Sequence, residues 1–115
     1  MDLAGRVIVI TGAASGIGRA MALRFAKEAP AHLVCVDIDG PGAEATAAEV
    51  GGTGSRVDVA HEAEIAQLIE TVERDIGPID LFCSNAGISV EGGVEVPDAD
   101  WQRIWEINVM SHVRA

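Results

Sequence analysis

Four short apolar runs recur along the chain, and stretches of helical periodicity separate them. Val7-Ile8-Val9-Ile10 is apolar at every position, as a central parallel strand covered on both faces should be. After a glycine-rich interval, Ile17, Ala20, Met21, Leu23, Phe25 and Ala26 give the stretch reaching Glu28 a broad apolar helical face, and Pro30 ends it. His32 to Val36 reads as a second strand, closed by Asp37-Ile38-Asp39, and Gly40-Pro41-Gly42 as a turn. Ala43 to Val50 is a short, weakly amphipathic helix, Gly51 to Ser55 a loop and Arg56 to Val59 a third strand. Ile65, Leu68, Ile69, Val72 and Ile76 mark a long helix over Glu62 to Ile76, terminated by Gly77-Pro78. Ile79 to Ser84 is the fourth strand, and Asn85-Ala86-Gly87 is its exit. Ile88 to Pro97 reads as a loop, and Asp98 as the N-cap of a helix running from Ala99. No repeat, low-complexity tract or linker interrupts this order, so residues 1–115 form one α/β unit. The βαβαβαβα alternation predicts a doubly wound parallel sheet.

The interval between the first strand and the first helix is Thr11-Gly12-Ala13-Ala14-Ser15-Gly16-Ile17-Gly18. Strand, glycine turn, helix is an arrangement suited to a pyrophosphate. Glycine lets the backbone take positive φ and lets a phosphate approach closely. The helix start supplies unpaired N–H groups and the positive end of the helix dipole. The third glycine, Gly18, would let the helix lie tightly on the strands. The spacing G-x-x-x-G-x-G differs from the usual dinucleotide fingerprint, and an ordinary βα turn also uses glycines. A P-loop does not fit, because Arg19 follows Gly18 where Lys-Ser/Thr would be required.

Charge narrows the partners. The chain carries a formal net charge of −10 with a pI of about 4.5. An acidic surface argues against nucleic acid or an anionic membrane as a partner, so local backbone dipoles must hold any anionic cofactor. The 49% hydrophobic content fits a folded globular protein. Met1 to Arg6 lacks the basic and apolar regions of a signal peptide, and no apolar run approaches ~18 residues. A cytoplasmic protein is the expectation. His32, His61 and His112 share no ligand spacing, so no metal site is expected.

Thr11-Gly12 followed by Gly16-Ile17-Gly18 after a buried strand resembles the short-chain dehydrogenase/reductase family, and Asn85-Ala86-Gly87 and Asn108 match further motifs of that family in order. The resemblance runs over the whole chain and corresponds to the first half of the family's usual domain. It implies a Rossmann fold truncated to about four strands in the order 3-2-1-4, and a nicotinamide cofactor bound by Gly12, Ser15, Gly16, Ile17 and Gly18. Asp37, 19 residues after Gly18 at the end of the second strand, stands where a carboxylate accepts bonds from the adenosine ribose hydroxyls. It would repel a 2′-phosphate, and neither Ser15 nor Ile38 offers a counter-ion, which favours NAD over NADP. By resemblance Asp58 contacts the adenine amino group and Val59 contributes backbone. Asn85, Ala86 and Gly87 let the chain pass close to a bound ribose, and Asn108 belongs to the catalytic set. Many members have a glycine where this chain has Ala29-Pro30-Ala31. The family assembles as dimers or tetramers, and Trp101 and Trp105, four apart on one helix face, suit packing or such an interface. In that sheet order the first strand separates Cys35 from Cys83 by roughly 9–10 Å, too far for a disulfide.

Hydride transfer in this family uses a tyrosine as general acid/base, a lysine four residues later and a serine that orients an alcohol or carbonyl substrate. These 115 residues contain no tyrosine, and Lys27 is the single lysine. The readings that remain are a cofactor-binding part of an NAD-dependent oxidoreductase, inactive by itself, and a non-catalytic nucleotide-binding or interaction module. A Rossmann-type methyltransferase also uses a glycine turn and a strand-end acid, but the glycine spacing and Asn85-Ala86-Gly87 argue against it.

Overall fold

The computed structural model describes residues 2–85. In chain order the elements are β1 (Val7–Thr11), α1 (Gly16–Ala26), β2 (His32–Asp37), α2 (Gly40–Val50), β3 (Thr53–Arg56), α3 (Glu62–Asp75) and β4 (Leu81–Cys83). The strands form one sheet in the order β3-β2-β1-β4, and every pairing is parallel. Parallel neighbours need crossover connections, and the three helices supply them. The doubly wound α/β fold implied by the sequence is therefore the observed one.

Alternation along the strands explains why both faces are covered. Val7, Val9, Val34 and Val36 point to one side, where Ile65, Leu68 and Val72 of α3 pack on them. Ile8, Ile10, Leu33 and Cys35 point to the other, against Ala22 of α1 and Ala47 of α2. Because β1 is buried at all five positions, its uninterrupted apolar run is what the fold requires.

Three boundaries differ from the sequence reading. The third strand is Thr53–Arg56, not Arg56 to Val59, and part of the expected Gly51 to Ser55 loop lies in the sheet. Its ladder runs from Val34↔Thr53 to Asp37↔Arg56. Helix α2 crosses β3 so closely that a Cβ on Gly54 would lie 2.6 Å from the Glu44 Cα, so the paired segment has to contain the glycine. Val57 and Val59 are buried because they enter the α3-side core after the ladder ends. Their alternation reports burial and not pairing. Gly40-Pro41-Gly42 is the first turn of α2 and not a separate turn. Asp39 caps it by accepting from the Gly42 N–H at 3.0 Å, and Pro41 sits where a missing N–H costs nothing. The fourth strand is shortened to Leu81–Cys83, which pair with Ile8–Ile10 of β1.

Helix α1 closes at Ala26, before Pro30, with Lys27 as its C-cap. Ala29 then turns the chain with φ +54°, a conformation that glycine adopts more easily. Cys35 and Cys83 are both in register with Ile10, one on each side of β1, and both are free thiols. Burial pushes the Cys35 thiol up to about 11 and raises that of Cys83. No helix among the described residues is long and apolar enough to cross a membrane. Ala86, Gly87, the Asp98 cap, Trp101, Trp105, Asn108 and His112 lie outside the described residues.

Candidate functional site

The carboxyl ends of the strands gather most of the residues singled out from the sequence onto one edge, as ligand sites of open α/β sheets require. The chain leaves β1 at Thr11 and turns at Gly12 (φ +67°) and Gly16 (φ +58°), where L side chains are strained. Ser15 is the N-cap of α1 in extended conformation, and its hydroxyl makes no capping bond. The first intrahelical acceptor is the Ser15 carbonyl, which takes the Arg19 N–H at 3.3 Å. The N–H groups of Gly16, Ile17 and Gly18 therefore form the open first turn of the helix. Among the described residues a Cβ built on Gly16 meets nothing within 4 Å, and Ile17 is 72% exposed. Gly18 faces inward instead. A Cβ there would overlap the Gly12 carbonyl oxygen and lie 2.8 Å from the Asn85 side-chain nitrogen. Close approach of α1 to the turn is thus a property of Gly18, as its place in the motif implied.

Asp37 ends β2 beside this turn. Its Oδ2 accepts from the Ala14 N–H at 3.0 Å, and its Oδ1 accepts from the Asp39 N–H at 3.0 Å. Each carboxylate oxygen keeps a further lone pair, so the group can still receive two hydroxyls. The next residue, Ile38, is 41% exposed, an apolar side chain held in water at the same edge. The sequence reading gave Ile38 no part beyond its lack of charge. An apolar residue directly after a strand-end acid was the available signal.

Asp58 and Val59 follow β3 and do not belong to it, but both remain at this edge and both are buried. Asp58 Oδ1 accepts from the Ala60 N–H at 3.0 Å, and Oδ2 lies 3.4 Å from His61 Nε2. Glu64, in the first turn of α3, accepts from the Asp58 N–H at 3.0 Å and lies 4.0 Å from the Arg56 guanidinium. Asp58 therefore arrives as a fixed acceptor with little of its surface open.

Thr11 has a role that the sequence reading did not give it. Its side chain is buried, and its hydroxyl donates to the Cys83 carbonyl at 3.3 Å and accepts from the Asn85 N–H at 2.8 Å. One hydroxyl therefore ties the end of β1 to the chain leaving β4, just past the last ladder pair Ile10↔Cys83. A threonine closing an otherwise aliphatic strand was the only hint. Asn85 is thereby brought against Gly18, while its motif partners Ala86 and Gly87, and also Asn108, lie outside the described residues.

Among the described residues no three His, Cys, Asp or Glu side chains are grouped to hold a metal ion. A cleft of about 550 Å³ opens between α3 and β3, lined by Val34, Gly54, Leu68 and Val72 among others, and no residue of the glycine turn lines it.

The chain is 37% identical to 1-deoxy-11-beta-hydroxypentalenate dehydrogenase of Streptomyces exfoliatus, over 98% of its own length and 44% of that protein's. It is 38% identical to a CLA biosynthesis dehydrogenase/reductase of Lactiplantibacillus plantarum, over 99% of this chain and 42% of the relative. Estradiol 17-beta-dehydrogenase 11 of Macaca fascicularis is 34% identical over 96% of this chain and 39% of its own. The chain thus spans less than half the length of these curated relatives. Residues 6–115 match the family described as short chain dehydrogenase, and with the parallel 3-2-1-4 sheet and its glycine turn, this chain belongs to that family.

Proposed function

We propose that this chain is the cofactor-binding part of an NAD-dependent oxidoreductase that moves a hydride between the nicotinamide and an alcohol or carbonyl substrate. The observation that carries the reading is the Asp37 carboxylate held against the glycine turn through the Ala14 N–H. The residues present fit a dinucleotide. Among the described residues a Cβ on Gly16 meets nothing within 4 Å, the Ser15 hydroxyl makes no capping bond, and the first-turn N–H groups of α1 lack intrahelical acceptors, an arrangement that suits an anion. Asp37 would receive the adenosine ribose diol, and its charge would oppose a 2′-phosphate. Ile17 and Ile38 would cover apolar parts of the ligand, and Asp58 and Val59 would border the adenine. When bound, the cofactor supplies the hydride acceptor or donor. These residues fix its position and select between its two forms.

The relatives are named dehydrogenases, which supports the reaction class. The 115-residue chain by itself is expected not to turn over. It holds no tyrosine, and Lys27 caps α1 instead of standing beside a reacting centre. Asn108 is carried as a catalytic position by resemblance, and a homo-oligomer is proposed on the same ground.

Titration of the full-length protein with NADH and NADPH tests the reading. Tighter binding of NADH is expected, and equal affinity for the two would refute the Asp37 assignment. Turnover of an alcohol or carbonyl by that protein separates an oxidoreductase from a non-catalytic nucleotide-binding module.

A further inference from the structure

We infer that Asp37 is also a positioning residue for the glycine turn, so that phosphate binding depends on a side chain whose obvious use is to read a ribose. This inference rests on the nucleotide reading above. Two consecutive turn residues are fastened to two consecutive residues of β2. The Ala13 N–H donates to the Val36 carbonyl at 3.1 Å, and the Ala14 N–H donates to Asp37 Oδ2 at 3.0 Å. The first is a backbone bond that any residue at 36 would make. The second depends on the side chain at 37. The other carboxylate oxygen takes the Asp39 N–H, and Asp39 in turn caps α2 through the Gly42 N–H. One carboxylate therefore joins the β1–α1 turn, the end of β2 and the start of α2.

Ala14 is followed directly by Ser15, Gly16 and Ile17, the residues that face the open space. Freeing its N–H leaves a partly buried donor without an acceptor in a turn whose two positive-φ glycines offer little stiffness. The consequence runs against the simple view of a specificity acid. Replacing Asp37 with alanine removes the repulsion of a 2′-phosphate, but it also unfastens the phosphate turn, so NADP gains little. Asparagine removes the same charge and keeps an oxygen for Ala14. Its amide then faces the exposed Asp39 N–H, which water can serve.

The test compares Asp37→Asn with Asp37→Ala, two variants of equal charge. The probe is reduced nicotinamide mononucleotide, which has a phosphate and no adenosine and so cannot touch residue 37. Titration by NMR on the full-length protein is expected to show Asp37→Asn binding it about fivefold more tightly than Asp37→Ala, the worth of one ordinary hydrogen bond. Amide exchange at Ala14 is expected to stay near the unsubstituted rate in Asp37→Asn and to rise about tenfold in Asp37→Ala, while β1 amides keep their protection in both. Equal mononucleotide affinity in the two variants, or equal Ala14 exchange, would overturn the inference. Failure of the unsubstituted protein to bind NADH would overturn the nucleotide reading instead, and the Ala14 exchange rate would still decide the brace.

Discussion

Replacing Thr11 with valine tests whether one hydroxyl closes the edge on which the site is built. The two side chains have nearly the same shape, so packing at this buried position is kept and the hydroxyl alone is lost. Among the described residues, the Asn85 N–H, bonded at 2.8 Å, and the Cys83 carbonyl, bonded at 3.3 Å, then lose this partner. An unpaired buried donor costs about 1–3 kcal/mol, and the longer bond to a carbonyl with a second lone pair costs less. Burying a methyl in place of the hydroxyl returns about 1 kcal/mol. The net expectation is a loss of about 1–2 kcal/mol in urea unfolding. Such a loss could also follow from imperfect packing, so the deciding measurement is local. Hydrogen exchange at the Asn85 amide should accelerate in Thr11→Val and stay slow in Thr11→Ser, which keeps the hydroxyl and loses only the methyl. NADH binding should weaken with the valine, because Asn85 packs beside Gly18 at the start of α1. Unchanged Asn85 exchange in Thr11→Val would refute the reasoning, whatever happened to global stability.

Two further outcomes follow from the same geometry. Gly18→Ala should destabilise by about 1–2 kcal/mol and weaken nucleotide binding, since overlap with the Gly12 carbonyl outweighs the ~1 kcal/mol helix preference of alanine; a more stable variant that binds normally would show α1 free to shift. Thr46, buried on α2 with no partner for its hydroxyl among the described residues, should give about 1 kcal/mol of added stability as Thr46→Val, and a lowered melting temperature would reveal a bond at that hydroxyl.

The sequence alone indicated most of the buried segments and the glycine turn after the first strand. Val7 to Ile10 read as a doubly covered strand, and Ile65, Leu68 and Val72 recur at the spacing that places them on one face of α3. Gly12, Gly16 and Gly18 announced a turn with positive φ and close packing, and the structure shows both. These features depend on neighbours within a few residues, so a linear pattern records them. The position of β3 was different. Val57 and Val59 alternate as a strand would, yet Thr53–Arg56 hold the ladder, because pairing is chosen by β2 and by the closeness of α2 at Gly54. The start of α2 was hidden by Gly40-Pro41-Gly42, whose residues suit a free turn as well as a capped first turn of helix. The two contacts that assemble the site span still greater distances along the chain: Asp37 reaches Ala14 across 23 positions, and Thr11 reaches the Asn85 N–H across 74. Residue type could nominate Asp37, but its hold on the turn, and the use of Thr11 as a clasp, exist only once β1 lies between β2 and β4. A hydrogen bond between distant segments is fixed by the register of the strands that carry them, and register is a property of the folded sheet.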